Sequence, residues 1–441
     1  MSISLPKEFS YDVLESLPSG ITNQEIMLLP INGSAFSCAN SGTVIQWTLP
    51  SVGFLQPDSF YLKYNYATVS LGETQIIGCP FFTPLQRMQT LFGSQIVENI
   101  NNYNAVNHML SNVNLDVSQK WGLQQTYGYS NSGATVAANY QVSNLQSMNG
   151  AVLPINGGGG WSGFLPNILS NSQKLVPLSV MPTVSIQITL DSIGNMFAPN
   201  VDAATAANVQ TGVLAQGITV TPTDFILSNV TLCYNCLTLP ESLSSMLLKE
   251  DKIFIKSNSF MNIQNFIPIG SSGQLELVYN TRLASVKTCF LLNSSNSTNK
   301  IFDSYDVTSN GDYIFSVAGR LYPSRPITYN DILSQLRKSV GAIGCKNTTF
   351  SIDSKEMSYI ASGLLTATTR EIPSKFYPSI NLSTVPFSDV LLSGISTQSS
   401  PISVRMNIIV PTLRTITQSL VMYYDAIIEI DTVSKNATVK Q

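Results

Sequence analysis

Two thiols stand three residues apart in FILSNVTLCYNCLTLP, at Cys233 and Cys236, the spacing of a zinc site or a dithiol redox centre. The flanking residues oppose that chemistry. Val230, Leu232 and Tyr234 alternate with Thr231, Cys233 and Asn235, which is the period of an extended strand. Successive side chains of a strand leave on opposite faces, so positions 233 and 236 project to opposite sides of a sheet. Such a pair cannot hold one metal or close a bridge without a break in the strand. A structural zinc site also needs four ligands, and the chain has no second Cys-x-x-Cys and a single histidine, His108. The pair reads as wall.

The other candidates fail in similar ways. A Ser or Cys triad would have to use His108 as its base. Its setting, NNYNAVNHMLSN, is Asn-rich and helical in character, and no Gly-x-Ser-x-Gly elbow occurs; a helix-surface or interface histidine is expected. PINGGGGWSGFLP, residues 154–166, has the glycines of a phosphate loop but not the closing Gly-Lys-Ser/Thr that reaches phosphate and Mg²⁺. Trp161 follows the glycines, so a flexible loop between strands is expected, with Trp161 packed on it. Asp303, Asp306 and Asp312 in FDSYDVTSNGDY could crowd a loop and bind a cation, or serve as acid and base. EF-hand spacing and its closing Glu are missing, and Asx turns in a Ser- and Asn-rich loop account for them. Sugar stacking on tyrosines such as Tyr61, Tyr64, Tyr66, Tyr423 and Tyr424 competes with packing or subunit contacts, which are the default. No catalytic, cofactor-binding or metal-ligating residue is assigned.

The elements around these residues are mainly strands. In TVIQWTLP, Ile45, Trp47 and Leu49 share one face; in SFYLKYNYATVS, Phe60, Leu62, Tyr64 and Tyr66 do; in PTVSIQITLD, Val184, Ile186, Ile188 and Leu190 do. KIFIKSNSF, QLELVYN, DYIFSVAGRLYP, SVRMNIIVP and LVMYYDAIIEID add further strands, bounded by Gly, Pro, Asn or Ser. Two helices are expected. One lies in SQIVENINNYNAVNHML, with Val97, Ile100, Tyr103 and Val106 or Asn107 on one face. The other is NDILSQLRKSV, capped by Asn330 or Asp331, with Ile332, Leu333, Leu336 and Val340 facing inward. Strands do not alternate regularly with helices, which disfavours a parallel doubly wound sheet.

The halves echo each other. PTVSIQITLD followed by SNVTLCYNCLT is matched by PISVRMNIIVP followed by QSLVMYYDAIIEID. LPESLSSMLLKED between them reads as a connector. The expected division is an N-terminal arm over 1–29, one β-domain over 30–240, a connector over 241–252 and a second β-domain over 253–441.

Of 441 residues, 44% are hydrophobic and only 11% charged, with a formal net charge of -3. The apolar fraction is ample for a core, and the weakly charged surface repels its own copies little. The 23 basic residues are scattered, whereas gripping a polyanion takes clustered Lys and Arg; direct nucleic-acid binding is not expected. Lys7 and Glu8 interrupt the place of a signal-peptide core, and no window of 18 apolar residues suggests a membrane span. Six cysteines form no disulfide-dense pattern, so intracellular synthesis with free thiols is expected.

Several segments together resemble double jelly-roll major capsid proteins. GTVIQWTLPSVGFLQPDSFYLKYNY is similar to their opening strands, with a Phe-Leu-x-Pro-x-x-x-Tyr-Leu segment. PTVSIQITLDSIGNMF with FILSNVTLCYN resembles the close of the first barrel. DVTSNGDYIFSVAGRLYPSRPI followed by LSQLRKSVG is similar to part of the second. The resemblance runs in order over most of residues 30–430 and points to the polinton-like and virophage-like groups of the adenovirus and tectivirus lineage. It implies an all-β fold of two tandem antiparallel eight-stranded jelly rolls with a few short helices in loops. It implies a virion protein without an active site, whose homotrimers form pseudo-hexagonal capsomers of an icosahedral shell, beside neighbouring capsomers, penton and minor capsid or cement proteins. The competing reading is a β-sandwich carbohydrate- or receptor-binding spike or adhesin module; a third is a β-rich hydrolase using the carboxylates of 303–312.

Overall fold

The computed structural model describes residues 20–39, 42–69, 74–76, 78–129, 151–153, 158–199, 223–295, 302, 304–308, 312–328, 331–343, 352, 375–384, 392–409, 412 and 415–441. Up to residue 238 its strands are β1 (Thr22–Leu28), β2 (Ala35–Ser37), β3 (Val44–Leu49), β4 (Phe54–Leu55), β5 (Tyr61–Val69), β6 (Thr74–Ile76), β7 (Leu85–Phe92), β8 (Gln95–Asn101), β9 (Ala151–Leu153), β10 (Gly158–Phe164), β11 (Val176–Pro177), β12 (Val184–Leu190), β13 (Phe197–Pro199) and β14 (Asp224–Thr238). From residue 252 they are β15 (Lys252–Ile267), β16 (Gly273–Tyr279), β17 (Val286–Ser295), β18 (Tyr313–Val317), β19 (Arg320–Ile327), β20 (Ser379–Asn381), β21 (Ile402–Ile408), β22 (Ile416–Asp431) and β23 (Asn436–Lys440). Three helices matter below: α1 (Tyr103–Asn114), α2 (Glu241–Leu247) and α3 (Ile332–Ala342).

Strand order reveals two copies of one plan. Take β2, β3, β5, β7, β8, β10, β12 and β14 as strands one to eight of the first set. They form sheets ordered one-eight-three-six (β2-β14-β5-β10) and two-seven-four-five (β3-β12-β7-β8). Strands β15 to β22 repeat it, as β15-β22-β17-β20 and β16-β21-β18-β19. That interleaving in antiparallel sheets is a jelly roll, and the chain is a double jelly roll. The echo seen in the sequence falls on the same positions: β12 with β14, and β21 with β22, are strands seven and eight of their barrels. Short pieces extend the first barrel: β1 lies along β14 and pairs Met27 with Cys233. α2 stands between the barrels in sequence.

Alternation produces the core. β3 buries Ile45, Trp47 and Leu49 and leaves Val44, Gln46 and Thr48 partly open. β12 stacks Ile186 beside Trp47 and Ile188 beside Ile45, while β5 sends Leu62 and Tyr64 inward. Each such aliphatic side chain contributes about 1.5–3 kcal/mol by leaving water. β22 differs, being buried at every position from Ile416 to Ala426, because β15 and β17 flank it and both of its faces are covered.

Both helices expected from the sequence need correction, and the alternative cap Asn330 lies outside the described residues. Residues 95–101 form strand β8, paired with β7, and the helix starts only at Tyr103, after Asn102 in the left-handed region at φ 49°. Val97 and Glu98, adjacent in sequence, are both buried; that break in alternation, beside a bulge at Thr90/Leu91, imitates a helical spacing. In α3, Ile332, Leu336 and Val340 are buried as expected, but Leu333 is exposed. Asp331 precedes the helix without capping it by its side chain, which instead accepts from Thr328 Oγ1 (2.9 Å) and Arg325 Nη2 (3.2 Å).

Candidate functional site: the seam between the barrels

The two cysteines singled out for chemistry are built into a wall. Cys233 and Cys236 lie within β14, downstream of a bulge between Ser228 and Thr231. Cys236 joins Leu232 and Tyr234 in the core, whereas Cys233 is buried on the other face beside Lys63 and Glu25. Burial pushes both thiols above their usual range, the opposite of a reactive cysteine. The structure thus keeps them on opposite faces.

The glycine run is not a loop where it is described. Gly158–Phe164 is edge strand β10, paired with β5. A Cβ at Gly159 would lie 2.7 Å from the Tyr66 hydroxyl, and one at Gly163 2.6 Å from the Phe81 ring. Glycine lets aromatic rings lie flat on the strand. Trp161 does pack there, 4.3 Å from Tyr66 between ring centres. Tyr64 is buried with its hydroxyl donating to Phe81 O (2.6 Å). Tyr423 and Tyr424 project to opposite sides of β22 and are both buried. Tyr61 sits under Lys63, whose Nζ lies 4.9 Å from its ring centre. The tyrosines are thus packing elements.

Asp306 makes a turn. Its Oδ1 accepts from Thr308 N (2.9 Å), Thr308 Oγ1 (2.7 Å) and Tyr313 Oη (3.2 Å), the Asx geometry expected of the loop. Asp312 borders a shallow groove of about 370 Å³ with Glu276 and Arg405, which pair with each other at 2.9 Å. Asp303 lies outside the described residues. Among the described residues no group of three His, Cys, Asp or Glu side chains is placed to hold a metal ion, and no helix is long and apolar enough to cross a membrane.

His108 is at an interface and not on a surface. It is buried in α1, its Nε2 3.1 Å from Asn112 Nδ2, its ring edge-on to Phe302 at 5.5 Å. Burial, with Lys120 and Lys375 nearby, holds its pKa well below the ordinary value, so it is neutral at pH 7. Asn112 in turn donates to Tyr377 Oη (3.1 Å) and accepts from Lys120 Nζ (2.7 Å). This network ties α1 of the first barrel to the second.

A longer seam runs along β15. Ser257 Oγ donates to Ile168 O, and Ser259 Oγ to Glu98 Oε1. Asn262 Nδ2 donates to Asn101 O (3.1 Å), Asn171 Nδ2 to Asn258 O (3.2 Å) and Gln173 N to Lys256 O (3.0 Å). The segment after β10 therefore covers the β15 edge that β22 leaves open at Lys256 and Asn258, which shields that part of an edge strand. Glu98 is the centre of the seam: its Oε2 also accepts from Thr90 Oγ1 (2.8 Å) and Ile168 N (3.0 Å). Burial pushes its carboxyl up to about 7, although the three donors pull the other way. Within the second barrel, buried Asp425 takes Ser285 Oγ (2.8 Å) and Ser393 N (3.0 Å) and lies 3.7 and 3.6 Å from the Lys256 and Lys287 ammonium groups. Neither acid was visible as a candidate in the sequence, because each looks like an ordinary polar position and its partners lie far away along the chain, as Ser259 does from Glu98 and Lys256 from Asp425. Chemically, the arrangement has donors and acceptors to join two bodies. It brings no described nucleophile to the one histidine.

No protein-family model and no curated protein matches the sequence. Solved structures do match its fold. The capsid of the virus PBCV-1 aligns over 98% of this chain and 99% of its own, with a TM-score of 0.59 at 8% identity. The Faustovirus major capsid protein aligns over 96% and 93%, with a TM-score of 0.57 at 9% identity. The mavirus major capsid protein aligns over 100% and 95%, with a TM-score of 0.55 at 10% identity.

Proposed function

We propose that this chain is the major capsid protein of an icosahedral double-stranded DNA virus, a non-catalytic block whose homotrimers form pseudo-hexagonal, hexon-like capsomers. The observation that carries the reading is the repeated eight-strand plan, joined along a buried seam and shared over nearly the whole length with the capsid proteins of PBCV-1, Faustovirus and mavirus. Two barrels in each of three copies supply six similar walls, which suits a capsomer surrounded by six neighbours. A closed ring of copies uses one repeated contact. The charge of only -3 on 441 residues allows like surfaces to crowd.

The chain divides, on this reading, into an arm over 1–29, a first jelly roll over 30–240, a connector over 241–252 and a second jelly roll over 253–441. Its partners are itself, adjacent capsomers, and penton and minor capsid or cement proteins. Scattered basic residues leave genome contact to other components. Synthesis inside the host cell, without secretion, fits the free, buried cysteines 38, 79, 233, 236 and 289. No catalytic residue, cofactor or metal is assigned. The spike or adhesin reading loses its sugar platform, since the tyrosines it would use are packed against Phe, Trp and Lys side chains.

Light scattering on purified protein tests the reading. A trimer of three times 47.9 kDa, about 144 kDa, is expected; a stable monomer at high concentration would count against it.

A further inference from the structure

Glu98 is buried at the boundary of two bodies, and every hydrogen-bond partner it has is neutral: the Thr90 and Ser259 hydroxyls and the Ile168 amide. The titratable groups facing it are the phenols of Tyr103 on α1 and Tyr424 on β22, and Tyr103 Oη donates to Pro166 O (2.9 Å). The charged Lys256 and Asp425 belong to the same two strands, β15 and β22, but by alternation they leave on the face opposite Ser259 and Tyr424. Asp425 has two ammonium groups within 4 Å; Glu98 has none among the described residues. A carboxylate removed from water without a counter-charge is strongly disfavoured.

We propose that Glu98 is a proton-operated latch between the two jelly rolls: protonated, it holds the β8–β15 seam closed, and deprotonated, it loosens it. The direction follows from linkage. Folded protein keeps a proton up to about pH 7 that the unfolded chain releases near 4.5. Stability from this group is therefore full at or below pH 4.5, declines as pH rises to about 7, and is level beyond. At neutral pH and above, the seam carries a buried charge whose relief is local opening.

Thermal unfolding of the full chain and of Glu98→Gln between pH 4.5 and 8.5 tests this, because Gln keeps an acceptor and a donor but does not titrate. The wild-type melting temperature minus that of the variant should fall with rising pH and flatten near 7. Parallel curves would overturn the latch. Should the variant not fold, hydrogen exchange on the wild type gives the answer. After correction for intrinsic rates, peptides spanning 165–173 and 252–262 should lose protection between pH 6 and pH 8 while those of β16 and β21 do not. Equal loss everywhere, or none, would overturn it.

Discussion

α1 and α3 occupy the same place in their barrels, the connection between the fifth and sixth strands, and have nearly equal lengths of 12 and 11 residues. Their surroundings differ. α1 is buried from Tyr103 to Val113, on every side. α3 buries Ile332, Leu336, Ser339, Val340 and Ala342 on one face, against β20 and β17, and leaves Leu333, Arg337 and Lys338 to water. The difference is one of position within the pair of barrels. α1 meets the second barrel through His108, Asn112 and Tyr377, so its polar face had to be made of neutral, hydrogen-bonded side chains. A duplicated plan thus yields one helix that belongs to a barrel and one that joins two.

The contrast predicts unequal sensitivity to mutation. Met109→Ala in α1 removes a fully buried side chain and should cost about 2–5 kcal/mol in denaturant unfolding; Leu333→Ala in α3 should cost less than about 0.5 kcal/mol. Equal losses would erase the distinction. Asn112→Leu deprives Lys120 and Tyr377 of a buried partner and should cost about 1–3 kcal/mol. Its effect and that of Tyr377→Phe should fall short of additivity, which a double-mutant cycle will show.

His108 gives a pH-dependent version of the comparison, since α3 has no histidine. Its folded-state pKa lies below the ordinary 6.5, so the unfolded chain takes up a proton first. The stability it supports is complete above 6.5 and is lost below that, at up to about 1.4 kcal/mol per pH unit. Glu98 acts in the opposite sense between 4.5 and about 7, so the two effects offset each other in the wild type. His108→Gln should remove the acid loss and leave the Glu98 slope visible in melting curves. The smallest effect is expected for Lys338→Ala on the open face of α3, within about 0.5 kcal/mol of wild type.

Why was one helix easier to read than the other? NDILSQLRKSV presents a single apolar stripe, which periodicity detects. α1 follows a strand whose adjacent buried Val97 and Glu98 break the period of two, so strand and helix merged into one helical pattern. Strands such as β3 and β5 were legible because one face is apolar and the other is not, and the tandem repeat was legible in strands seven and eight. The opposite facing of Cys233 and Cys236 followed from alternation. The glycines of β10 were misread as a flexible loop because their reason is a ring on the neighbouring strand, Tyr66. Glu98 left no trace, since nothing local distinguishes an inward carboxylate from an outward one.

Electron microscopy of negatively stained, purified protein tests the central claim most directly. Particles with three-fold symmetry and a hexagonal outline, six barrels around an axis, are the expected result. A field of single two-lobed particles that never associate as concentration rises would contradict the account.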